Sequence, residues 1–250
     1  MKNRFYVIII GFIMTFISFN NSNSLKAENI LLAEDSIKLL VHENYVLDGN
    51  KEVREIILDY KKNSKYKKNY YKADSLFLKH LWGQDVFKPD KPDKKDFVVN
   101  PYLDLLKTYV SISKFNGSYI FFSENVDDIM FTLVYVKDKT ITFLDTDGWF
   151  VNYYKKIGYS KDRILIDLYY NPFYSNTIKI EIKRIDSVND IQIWKTTRIN
   201  KEGKTSVIYE LKAPLNYALK LPILVIHNTA GLDVTYEGLD KIDLKKLFYK

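Results

Sequence analysis

Cysteine is absent from this chain. That excludes disulfide cross-links, thiolate metal sites, thiol nucleophiles and a lipid-modified cysteine, and leaves burial of apolar surface to hold the fold. Glycine is scarce, at 9 residues. None stands in the G-x-G-x-x-G spacing that cradles phosphate, and no G-x-S-x-G elbow presents a serine nucleophile. The 3 histidines, His42, His80 and His227, are scattered, and no pair has the spacing of a helical metal site. Beyond residue 19 there is no apolar run long enough to span a bilayer. No cofactor and no metal are expected.

What is present begins with an export pattern. Lys2 and Arg4 precede an apolar stretch from Phe5 to Phe19, followed by polar Asn20 to Ser24 and then Ala27. This is the layout of a cleaved signal peptide over 1–27, and it predicts a periplasmic or secreted protein with no stable membrane span after cleavage. Failure of cleavage would leave Phe5 to Phe19 as an anchor. Cleavage after Ala27 removes Lys2, Arg4 and Lys26 and no acid. The 38 basic residues become 35 against 31 acidic ones, and the net charge falls from +7 to +4. So small an excess does not point to nucleic acid.

Apolar spacing predicts an α+β fold: N-terminal helices, then a long antiparallel sheet or curved half-barrel, then a short C-terminal helix. Val53, Ile56, Ile57 and Tyr60 predict a helix over 51–62, with Asn50 as its cap. Ala73, Leu76, Phe77, His80 and Leu81 predict a second, stopped by Gly83. Asn100-Pro101 followed by Leu105, Leu106, Tyr109 and Ile112 predicts a third over 101–112. The proline-containing, charged stretch 89–96 reads as an exposed linker between a helical region, 28–88, and a β-rich domain, 97–250. From Ser118 the period becomes two. Lys137-Asp138 and Asn200 to Gly203 read as hairpin loops, and Ile178, Ile180 and Ile182 alternate with Lys179, Glu181 and Lys183. Leu239, Ile242, Leu247 and Phe248 predict the terminal helix, with Gly238 or Asp240 near its start.

Three features carry candidate chemistry. Asp145-Thr146-Asp147-Gly148 resembles the opening of a calcium loop but lacks the distal ligands, so an Asp-Gly hairpin accounts for it. Lys61 to Lys72 interleaves cations with aromatic rings, fit for an acidic polymer, anionic lipid or nucleic acid, or for a solvated loop and first helical turn. Tyrosine is abundant, at 20 residues beside 15 phenylalanines, which the codon usage of an AT-rich genome would also produce. In the segment from Trp149 onward, Trp149, Tyr153, Tyr154, Tyr170 and Tyr174 are the candidate binding rings. Because Tyr153-Tyr154 and Tyr169-Tyr170 are adjacent pairs, a strand must turn one ring of each pair to either face. The pairs Ser64/Lys67 and Ser111/Lys114 match S-x-x-K no more often than chance allows. The sequence therefore favours an exported, cofactor-free protein that binds a macromolecule, peptide or glycan through an aromatic sheet face or loop. The alternatives are an inhibitor or immunity-type protein with one protein partner, and a hydrolase using Asp145, Asp147 or His227 in a cleft.

Overall fold

Ile178, Ile180 and Ile182 are all buried, while Lys179 between them is exposed, as a strand with one wet face requires. The same alternation recurs through most of the chain. The computed structural model describes residues 36–45, 51–68, 70–72, 86–87, 98–123, 133–145, 148–169, 176–228 and 239–250. All belong to one unit, Asp35–Lys250. Its strands are β1 (Ser36–Tyr45), β2 (Lys51–Asp59), β3 (Val86–Phe87), β4 (Thr108–Phe115), β5 (Ser118–Ser123), β6 (Val134–Val136), β7 (Thr140–Asp145), β8 (Gly148–Ser160), β9 (Arg163–Leu168), β10 (Asn176–Asp186), β11 (Ile191–Asn200), β12 (Thr205–Pro214) and β13 (Ile223–Asn228). Helix is confined, among the described residues, to α1 (Leu215–Ala218), α2 (Leu244–Tyr249) and three single 3₁₀ turns.

The predicted α+β class is thereby corrected: the chain is predominantly β. The expected helix 51–62 is instead strand β2, paired with β1 on one edge and β13 on the other. Its apolar residues satisfy helical spacing, but Ile57 and Leu58 are consecutive and both buried. A strand covered on both faces uses such a run, and periodicity alone does not separate it from a helix. The expected helix 101–112 is one 3₁₀ turn, Leu103–Leu105, followed by β4. Asn100 does not cap that turn: the N-cap is Tyr102, which has no side-chain cap, and Asn100 accepts the Tyr102 N–H at 2.9 Å just ahead of it. The overlooked signal is Asn116-Gly117, both at positive φ, which closes the β4–β5 hairpin with Phe115 opposite Ser118. The helix expected at 73–81, the linker and the signal segment lie outside the described residues.

The half-barrel expectation is corrected to a closed ring. Antiparallel pairing runs β4-β12-β11-β10-β9-β8-β7-β6, and β6 pairs back onto β4. Every strand of the ring thereby has a neighbour on each side, though β12 meets β4 only over Lys212 to Pro214. Tyr109, Val134, Val136, Ile141, Tyr154, Ile166, Leu168, Ile178, Ile180, Ile182 and Trp194 point inward and form one core. The segment Asn100 to Lys107 straps one end: the Asn100 N–H bonds to the Asp138 carbonyl, and Leu105 joins the inner core. Past Ser111, β4 leaves the ring for β5 and carries a second layer, β5-β13-β2-β1. A second core lies on the outer side of the ring. It includes Val110, Tyr135, Trp149, Ile191 and Leu211 from the ring, Ile57, Phe121 and Val225 from the second layer, and Phe248 of α2.

The C-terminal helix occurs where expected, though later than its predicted start. Asp243 caps α2 by accepting the Lys246 N–H at 2.8 Å. Asp240 instead accepts the N–H groups of Asn116 at 3.0 Å and Gly117 at 2.7 Å, tying the tail to the β4–β5 turn.

Candidate functional site

Two of the sequence-derived binding rings are interior. Trp149 is buried against Tyr135 in the outer core, their ring centroids 5.5 Å apart. Tyr154 is buried in the inner core, and its hydroxyl donates toward the carbonyls of Lys137 and Thr140. Its burial pushes the hydroxyl well above the ordinary tyrosine range. Neither ring can be presented to a macromolecule. Tyr153 is half-buried on the opposite face from Tyr154, as the adjacent-pair argument requires. Tyr170, Tyr174 and Asp147 lie outside the described residues. Asp145 stands opposite Gly148 in the β7–β8 ladder, the register of a hairpin. His227 stands opposite Glu55 in β13–β2, and none of the strand pairings joins β7 to β13.

The chance S-x-x-K pairs do not form dyads. Ser64 donates to Asp59 at 2.7 Å, and Lys67 donates to the Leu219 carbonyl at 3.0 Å. Ser111 meets Lys212, not Lys114, with Lys212 Nζ donating to its Oγ at 2.8 Å. Lys212 also bonds Glu210 at 2.8 Å, and the Ser111 hydroxyl donates to the same carboxylate. The lysine is thus a donor to the serine, not its base. Burial alone would raise the Glu210 carboxyl. The charge and hydrogen bond of Lys212, with Ser111 and Arg198, outweigh this and hold it below the usual range.

A second ionic cluster centres on Asp190, which sits at positive φ before β11. Its carboxylate accepts from Lys107 at 2.7 Å, Arg184 at 2.8 Å and Gln192 at 2.8 Å. Gln192 in turn accepts the indole N–H of Trp194 at 2.8 Å. Arg184 reaches on to Asp104 and so ties the strap to the ring. Every member is engaged within the protein, which marks the cluster as a structural latch.

The open concavity lies on the outside of the ring. A pocket of about 390 Å³ spans the outer face of β8 to β11. Cross-strand register places Lys156, Asp167, Lys179 and Thr197 side by side in one row. The next row holds Gly158, Leu165, Glu181 and Lys195. Glu181 is neutralised by Lys195 and by Arg163 at 3.6 Å. Beyond it, Arg163 lies under Phe248, with its guanidinium 4.5 Å from the ring centre. The first row differs: among the described residues the side chains of Lys156, Asp167 and Lys179 make no hydrogen bond or ion pair. Gly158 gives the floor its depth, since a Cβ built there meets nothing within 4 Å. Tyr159, 62% exposed, alternates away from Gly158: register sets it opposite Ile164, and its ring centre lies 6.4 Å from that of Tyr102 in the strap.

Sequence reading missed this groove. Ile178 to Lys183 showed which side chains of β10 face outward, but Lys156 and Asp167 become their neighbours only through pairing. Among the described residues no three His, Asp or Glu side chains gather to hold a metal ion, and no helix is long and apolar enough to cross a membrane. Comparison of the chain with protein-family models, with curated proteins and with solved structures finds no match.

Proposed function

We propose that this chain is an exported, cofactor-free binding protein that holds a short stretch of peptide in the outer groove of β8 to β11. The observation that carries the reading is the row Lys156, Asp167, Lys179, three charged side chains without partners among the described residues, beside an apolar floor. A peptide offers what such a row lacks: carboxylate or carbonyl oxygen for the lysines and N–H or ammonium groups for Asp167. The inner face of the ring is filled by side chains, which favours an external site over an enclosed one.

Gly158 makes the reading testable at little structural cost. Its backbone is not in the left-handed region and its Cβ position is open, so Gly158→Trp should fill the groove and leave the fold intact. Selection of a phage-displayed heptapeptide library on the wild-type chain should enrich a charged consensus. Both Gly158→Trp and Asp167→Ala should lose that enrichment. Equal enrichment on all three proteins, or none on the wild type, overturns the proposal.

A further inference from the structure

The segment Lys61 to Lys72 holds six lysines and no acid, and the fold does not leave it as a loose tail. Asp59 accepts the Lys61 N–H at 2.9 Å and the Ser64 hydroxyl at 2.7 Å. Ser64 in turn caps the 3₁₀ turn Lys65–Lys67 through the Tyr66 N–H. Tyr66 and Tyr70 are buried in the outer core, and the Tyr70 ring packs edge-on against Phe121 at 4.5 Å. Lys67 is buried as well, with its ammonium on the carbonyls of Leu219 and Leu221. Burial lowers its pKa, and the charge of Asp59 only partly offsets that.

The aromatic residues are therefore anchors, and the cations they hold up face solvent. Lys61, Lys62, Lys65 and Lys68 are all exposed, and exposed Lys220 lies between the two residues whose carbonyls Lys67 grips. Fixing like charges together opposes folding, and Asp59, the nearest acid in sequence, is buried beneath them. Beside the lysines stands Tyr71, 48% exposed, its hydroxyl donating to the Lys62 carbonyl so that the ring is held in place. Tyr70 and Tyr71 also line a pocket of about 340 Å³ whose other walls include Pro214, Leu215 and Leu219.

From this arrangement we infer that the Lys61 to Lys72 loop docks the protein on an anionic phospholipid surface. The lysines meet lipid phosphates, and Tyr71 sits at headgroup depth. The apolar complement of these lysines is one exposed ring beside a small pocket. That suits a surface of headgroups better than a single polyanion chain, which would need an extended basic groove. The site is separate from the peptide groove and does not depend on it.

The test is co-sedimentation of the full chain with vesicles of phosphatidylcholine alone and with 30% phosphatidylglycerol, the added fraction being roughly enough to give a strongly negative surface. The neutral vesicles measure whatever the apolar Phe5 to Phe19 segment contributes. The wild type should bind the anionic vesicles more tightly, with the excess abolished by high salt. Lys62→Glu/Lys65→Glu/Lys68→Glu should lower that excess about 100-fold, with Lys62→Gln/Lys65→Gln/Lys68→Gln intermediate. Tyr71→Ala should weaken it further at constant charge. Because these lysines are exposed and repel one another, thermal unfolding of the lysine variants should come no earlier than that of the wild type. An excess that survives charge reversal, or binding to soluble polyphosphate with no preference for anionic vesicles, overturns the inference.

Discussion

The ring contains two ionic clusters built in opposite senses. Around Asp190 the acid is the buried member, 13% exposed, and its cations Lys107 and Arg184 are 39% and 38% exposed. Around Lys212 the base is buried, at 4%, and its acid Glu210 is 37% exposed. The lesson is that an ion pair does not have one worth. Removing the exposed partner strands a charge in the interior, whereas removing the buried partner leaves a charge that can turn to water.

The largest effect should therefore come from Glu210→Ala, which leaves the Lys212 ammonium with only the Ser111 hydroxyl. A loss of about 3–5 kcal/mol is expected in urea unfolding. On the other cluster the corresponding change is the double variant Lys107→Met/Arg184→Met, which should cost about 2–4 kcal/mol, because Gln192 still donates to the stranded carboxylate. Asp190→Asn removes the buried charge but keeps an acceptor and a residue tolerant of positive φ, so about 1–2 kcal/mol is expected. Lys212→Met should lie within about 1 kcal/mol of the wild type or above it. If Lys212→Met proves as damaging as Glu210→Ala, the asymmetry argument fails.

Acid sharpens the same contrast. Glu210 titrates below its unfolded value, near 4.3 for a free glutamate. Its contribution is fully present above that pH and is lost as the pH falls through the lower folded pKa. Stability measured downward from pH 5 should therefore decline less steeply in Lys212→Met than in the wild type. Equal slopes would mean that Lys212 is not what depresses Glu210.

Much of the β architecture after Ser118 was legible, because β10 and the loops at 137–140 and 200–204 obey local rules. Alternation follows from the pleat, and Gly203 takes the positive φ its turn demands. The region before it was misread where local and tertiary signals compete. Val53, Ile56 and Ile57 fit a helix as well as a doubly covered strand, and only β1 and β13 on either side decide between them. The candidate site fared similarly. Tyr153-Tyr154 correctly implied one ring inward and one outward, but nothing local said that Tyr154 was the inward one or that Trp149 would be covered.

By itself the sequence determined the chemistry available to this protein: no thiol, no phosphate loop, no metal-spaced histidines, an excess of lysine and tyrosine, and a strand period from Ser118 onward. Tertiary structure alone decided that β6 returns to β4 and closes the ring, that Lys156, Asp167 and Lys179 stand in one row, and that Tyr66, Lys67 and Tyr70 face inward while Lys61, Lys62, Lys65 and Lys68 face out. The physical reason is that a strand's partners come from distant parts of the chain. Pairing register, not spacing along the sequence, sets which side chains meet and which are left open to solvent.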